Sequence, residues 1–248
     1  MNLDFGDFAV ICVGLALGGF MKGITGVGLP LVAVPVMAGF LGVERAVIIM
    51  VIPSVVLNLA QAWVHRKAFA AVPEIPRVLV GGAIGAAFGG SLLLIASDQS
   101  LALGLAAWLV AYVVFRLLHP SFALSELARR RWSPFVGAAA GAMQAATGIS
   151  APIVVPYMDA LRLRPFEYVF AVCAPFGAFA TAHCLLLAGT GSYSGEILLT
   201  SVLAVVPAIA FVPVGARCRR YFAPRVFDIV IRMTLLVMAA RLVWSALG

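Results

Sequence analysis

The chain has 248 residues, 63% of them hydrophobic and only 11% charged, with a mean hydropathy of +1.09. Soluble domains run at about 45–50% apolar and about 25% charged, so the composition excludes a water-soluble domain, a disordered chain, a coiled coil and a secreted disulfide scaffold. The net charge of +7 is read as topology information and not as a nucleic-acid footprint, because Lys and Arg mark cytoplasmic loops. Cys12, Cys173, Cys184 and Cys218 show no metal or redox spacing and read as small packing residues. No cofactor or metal is expected. The acidic start, MNLDFGD, lacks the basic flank of a cleavable signal peptide.

A bilayer core of about 30 Å needs roughly 20 apolar residues per helix. In chain order, the first half supplies a broken apolar stretch at 8–43 and then spans at 46–64, 78–96 and 101–118. The second half supplies a broken stretch at 134–161 and spans at 166–189, 197–216 and 226–247. Lys22, Gly23, Gly26 and Gly28 interrupt the first broken stretch; Gln144, Thr147, Gly148, Ser150 and Pro152 interrupt the second. Pieces of about 10–15 residues on either side of each break are short for a full crossing at 1.5 Å per residue. Each broken stretch is therefore either one interrupted span or a hairpin of short helices.

The positive charges separate these alternatives for the second stretch. With a hairpin at 134–161, the loops around 65–77, 116–131, 162–165 and 217–225 share one side and hold most of the Lys and Arg. Arg45 and Arg241 lie at the other side. A single crossing would instead put the basic loops of the two halves on opposite faces. The positive-inside bias favours the hairpin with those loops cytoplasmic. Charge says less about the first stretch.

A shift of 122 positions brings the halves into register. Gly19 then meets Gly141, Met21 meets Met143, Thr25 meets Thr147, Gly26 meets Gly148, Pro30 meets Pro152, Val32 meets Val154 and Pro53 meets Pro175. Each repeat, 1–120 and 121–248, is a broken hairpin plus three crossings, and three is odd. The expected fold is an all-α polytopic membrane protein of two inverted repeats, an architecture of many secondary transporters. Gly81, Gly85 and Gly89, and likewise Gly137 and Gly141, recur every four residues and read as faces for close helix packing.

Chemistry concentrates at the breaks. Pro30 and Pro152 suit the first turn of a helix, and Gly28 and Ser150 stand where N-caps belong. Two helix N-termini are then expected inside the membrane, their free N–H groups and positive dipole ends offered to an anion. Thr25 and Thr147 would add hydroxyls, Gln144 an amide and Lys22 a full charge, so the expected anion-binding residues are Lys22, Thr25, Gly26, Gly28, Gln144, Thr147, Gly148 and Ser150. A Lys inside an apolar run costs roughly 2.5–3.5 kcal/mol on insertion scales, so it needs a cavity, a partner or an interface to reach. Asn58 and Gln61 in one half, and Thr181 and His183 in the other, are candidates for gating or coupling; Gln61 and His183 coincide under the 122 shift. Bonding to a neighbouring helix is the plain alternative for these four. His183 could carry a coupling proton.

These residues resemble the sulfite exporter TauE/SafE family of bacterial membrane transporters. The resemblance covers nearly the whole chain and rests on the Gly/Thr-rich break of 19–35, its echo at 137–156 and the total length. It implies export of a small sulfur-containing anion, such as sulfite or an organosulfonate, across the bacterial inner membrane. The partners expected are that anion and the bilayer, with no nucleic acid; a coupling proton or sodium ion and a homo-oligomer are left open by the sequence. No GxxxxGK[ST] sequence is present, so coupling would use an ion gradient or the anion's own gradient. The mechanism expected is alternating access, with the anion held between two opposed half-helix N-termini. A passive anion channel is the alternative. An intramembrane hydrolase built on Ser150 and His183 is a further one, disfavoured because Ser150 corresponds to Gly28, and the chain is not expected to be an enzyme.

Overall fold

A computed structural model describes residues 4–118, 124–218, 221 and 224–247. These residues form helices joined by short turns, with no strand among them. In chain order the helices are α1 (Phe5–Thr25), α2 (Leu29–Leu41), α3 (Val43–Val64), α4 (Ile75–Ile95), α5 (Asp98–Leu118), α6 (Glu126–Thr147), α7 (Ala151–Asp159), α8 (Pro165–Gly189), α9 (Gly195–Leu203), α10 (Val205–Cys218) and α11 (Pro224–Leu247). A short 3-10 helix at Arg66–Ala71 links α3 to α4. Among the described residues, six helical stretches are long and apolar enough to cross a membrane: α1, α3, α4, α5, α8 and the run from Gly195 to Cys218. That last run corresponds to one expected span but divides at Ala204 into α9 and α10.

Both broken stretches begin with a helix longer than the apolar pattern alone suggests. α1 has 21 residues and α6 has 22, whereas α2 has 13 and α7 has 9. The reason lies outside the apolar run. The Asp4 carboxylate accepts from the Asp7 N–H at 2.7 Å, and the Ser125 hydroxyl accepts from the Ala128 N–H at 3.3 Å. Each cap starts its helix in polar sequence. In α6 the helix then continues through Pro134. That residue cannot donate to the Arg130 carbonyl, and the Ser133 hydroxyl does so instead at 2.8 Å.

The chain forms two compact units. One comprises Met1–Pro53, Ile95–Leu118 and Tyr193–Gly248; the other comprises Ser54–Leu94 and His119–Ser192. The division falls inside α3, at Pro53, and each unit draws helices from both halves of the sequence.

In the first unit α2 folds back along α1. Gly18 faces Leu29 and Ala33, and Gly14 faces Ala33 and Met37. On its other side α1 lies directly on α10: a Cβ at Gly19 would overlap Ala208, one at Gly23 would overlap Val212, and one at Gly215 would overlap Phe20. Asp98, at the start of α5, accepts from the Val43 N–H at 2.9 Å and caps α3 from outside. On α11, Arg241 Nε donates to the Gly39 carbonyl at 3.0 Å, and the guanidinium lies 3.7 Å from the centre of the Phe40 ring.

The second unit repeats this plan. α7 folds back along α6, as the Tyr157 hydroxyl shows by donating to the Arg129 carbonyl at 2.8 Å. The glycine faces meet each other: Gly81, Gly85 and Gly89 of α4 lie against Pro134, Ala138 and Ala142 of α6, while Gly137 and Gly141 lie against Val78 and Gly82. α8 adds Phe179 and Leu186 over Gly82 and Gly90 of α4. Elsewhere on α4, Ile84 is 67% and Phe88 84% exposed, an apolar surface suited to lipid.

Candidate functional site

Each broken stretch turns on the same six-residue device. α1 ends at Thr25 and α6 at Thr147, each followed by a glycine in the left-handed region, Gly26 at φ 80° and Gly148 at φ 72°. The glycine N–H closes the helix on the carbonyl of Lys22 in one case and Gln144 in the other, both at 2.8 Å. Glycine reaches this conformation without the Cβ clash that other L-residues meet.

The threonines complete the turn. The Thr25 hydroxyl donates to the Met21 carbonyl at 2.8 Å and accepts from the Val27 N–H at 3.3 Å. Thr147 bonds the Met143 carbonyl at 2.7 Å and the Ile149 N–H at 3.3 Å. These hydroxyls are engaged by their own backbone, so they set the geometry of the turn. That differs from the expectation that they stand ready as donors to a ligand: a hydroxyl at a helix end finds its own i−4 carbonyl within reach.

The next helices then start alike. Pro30 and Pro152 occupy the first turn, and Gly28 and Ser150 are the N-caps, their carbonyls accepting from Val32 and Val154 at 3.1 Å. By helix geometry the first N–H groups of α2 have no intrahelical acceptor; in α7 the Ala151 N–H is the one so placed, since Pro152 has no N–H and the Ile153 N–H donates to the Ser150 carbonyl at 3.1 Å.

The two devices part at their polar side chains. In the second, the Ser150 hydroxyl donates to the Gln144 Oε1 at 2.8 Å, so a side-chain bond spans the break. Gln144 is 2% and Ser150 1% exposed. In the first, Lys22 replaces the amide and Gly28 the serine, which removes that bond. Gly28 sits at φ 110°, a conformation that side chains rarely adopt. Lys22 is 2% exposed and lies in the last turn of α1, where its charge also complements the carbonyl end of the helix.

The remaining candidates lie on α3 and α8. On α3, Asn58 is 1% exposed and its amide donates to the Ser54 carbonyl at 2.8 Å. Gln61 is half-buried, and its Oε1 accepts from Cys173 Sγ at 3.0 Å. On α8, the half-buried Thr181 bonds the Gly177 carbonyl at 2.7 Å. His183 is fully buried, and neither ring nitrogen has a hydrogen-bond partner. Ser150 bonds Gln144 and not His183, so the pairing that a Ser–His hydrolase requires is not made. Two polar positions escaped the sequence reading. Ser54 is buried with an unpartnered hydroxyl; its signal was the i, i+4 spacing to Asn58. Asp98 reads as one more acid at a span end until its cap on α3 is seen. No group of three or more metal-binding side chains occurs among the described residues.

A chain of apolar, membrane-length helices, broken twice by turns that carry a buried lysine and two buried helix starts, fits the transporter class. The chain is a member of the sulfite exporter TauE/SafE family, whose sequence model matches residues 10–242. No curated protein and no solved structure matches it. Membership implies a small anionic substrate and a lipid bilayer as partners.

Proposed function

We propose that the protein is a secondary transporter that exports a small sulfur oxyanion, sulfite or an organosulfonate, across the bacterial inner membrane. The observation that carries this reading is the paired turn at Lys22–Pro30 and Gln144–Pro152. Each sets a helix N-terminus, proline in its first turn, at the end of a buried hairpin. Free N–H groups and the positive dipole end stabilise an anion, and little apolar can replace it there. Lys22, Gly26 and Gly28 hold the stronger element, because a full charge adds to the dipole and Gly28 presents no side chain over the helix start. Gln144, Gly148 and Ser150 form a weaker one, closed by the Ser150–Gln144 bond. Thr25 and Thr147 hold both turns in shape.

In this reading the two halves are inverted repeats, the cycle is alternating access, and the basic loops face the cytoplasm. The test is uptake of radiolabelled sulfite into proteoliposomes, with thiosulfate, sulfonates and chloride as competitors. Saturable exchange of labelled for unlabelled sulfite supports a carrier; flux that neither saturates nor exchanges supports the channel alternative. Lys22→Ala should lose most of the uptake, and unchanged uptake with unchanged selectivity would overturn the assignment of Lys22. Ser150→Gly, which copies the first break, should retain substantial flux. A hydrolase that used Ser150 would lose its activity.

A further inference from the structure

His183 is fully buried, and both of its ring nitrogens lack a partner. A neutral imidazole carries one N–H donor and one acceptor, and leaving such a group unmet in a core costs about 1–3 kcal/mol. The residue that matches it under the 122 shift, Gln61, accepts from Cys173 through its Oε1. The orphaned imidazole is therefore not a general feature of this helix position.

The surrounding helices fix its depth. Phe179 and Leu186 of α8 pack on Gly82 and Gly90 of α4, so His183 lies at the level of the middle of α4. Gly141 of α6 lies against Gly82, and Ala145 comes near Gly90, so α6 passes the same depth shortly before its break at Gly148. α3 runs antiparallel to α8: His65 meets Phe166, Gln61 meets Cys173 and Leu59 meets Gly177. Continuing that pairing brings Ser54 to the depth of His183. Its hydroxyl is also buried and unpartnered.

The stretches of α3, α4, α6 and α7 at that depth, 54–61, 82–90, 138–145 and 151–156, hold no charged or titratable residue. The titratable groups of those helices lie toward their ends: Glu44 and Arg45 on α3, with His65 just beyond it, Arg77 on α4, Glu126, Arg129, Arg130 and Arg131 on α6, and Tyr157 and Asp159 on α7. α8 itself carries Glu167, Tyr168, Cys173 and Cys184.

We propose that His183 is the proton site of the transport cycle. The proposal rests on the transporter reading above and settles its coupling ion. An imidazole with no carboxylate beside it takes a proton and not sodium. A charged imidazolium is not kept in a dry apolar core without water or a counter-charge. Uptake and release of the proton therefore go with opening of the α3–α8 contact, and that opening ties the proton to the anion cycle. Only an N–H bond forms and breaks; the proton comes from water on one side and returns to water on the other.

The experiment follows labelled methanesulfonate, which does not titrate near neutrality, into proteoliposomes that hold a pH-sensitive dye. Wild type should move protons in fixed ratio to the anion. His183→Gln and His183→Asn should reduce protons moved per anion to the level of empty vesicles. Wild-type anion flux with no accompanying proton movement overturns the proposal without recourse to a variant. So does a His183→Gln protein that keeps the wild-type ratio. Absence of any sulfite or sulfonate flux in wild type removes the transporter reading and this proposal together, a result distinct from flux without protons.

Discussion

At Thr25-Gly26 and Thr147-Gly148 one hydroxyl and one left-handed glycine end a helix and start another, and the residues that can stand there are few. Gly26 has no neighbour in the way of a Cβ, so the obstacle to substitution is its φ of 80° alone. Gly26→Asn should fold and transport, because asparagine tolerates this region. Gly26→Val should lower the melting temperature in detergent, since the strain in the left-handed region is about 1–2 kcal/mol. Lys22→Gln tests charge against shape, as it copies the second break. A charged group's hydrogen bond contributes about 1.5–3 kcal/mol, so the apparent affinity for sulfite should weaken about 10- to 100-fold. Competition curves in proteoliposomes measure it, and an unchanged affinity means that the helix terminus alone holds the anion.

Among the helices, the α4–α6 contact leaves little freedom. Gly81, Gly85 and Gly89 meet α6 backbone to backbone, so added side chains have no room. In lipid such contacts depend on close van der Waals approach and not on a hydrophobic driving force. Gly85→Leu should therefore destabilise by about 1–3 kcal/mol or more, read as loss of the monodisperse peak on gel filtration. Gly104, with nothing within 4 Å of an added Cβ, is the control, and Gly104→Ala should be neutral. Asp98→Ala removes a cap from the N-terminus of α3 and should cost about 1 kcal/mol, measured as a lower midpoint on thermal unfolding in detergent.

Across the whole molecule, the two compact units do not follow the two halves of the chain. α1 of the first half packs with α10 and α2 meets α11, while α6 of the second half packs with α4. Neither half alone can cover its broken hairpin with its usual neighbour. Fragments 1–120 and 121–248 should each be degraded when expressed alone and recover sulfite transport when expressed together. Full stability of either fragment by itself would contradict the interlocked packing. The expected orientation is tested with single cysteines in a cysteine-free background. One at Lys67 should react with an impermeant maleimide only after the inner leaflet is opened, and one at Ser97 from the outside.

Composition and periodicity determined by themselves that the chain is helical and lies in lipid, because only helices and closed barrels meet every backbone hydrogen bond there. The positions of both breaks were legible in Thr25-Gly26 and Thr147-Gly148, since a left-handed turn narrows the choice of residue. The glycine faces of α4 and α6 were visible as a four-residue spacing. Their partners were not, because small residues admit a close neighbour without naming it. Only the tertiary structure decided that the threonine hydroxyls bond their own helix ends, that Ser150 ties to Gln144, that α2 turns back along α1, and that His183 and Ser54 are buried without partners. Each of these depends on which groups come within about 3 Å, a distance that local sequence does not set.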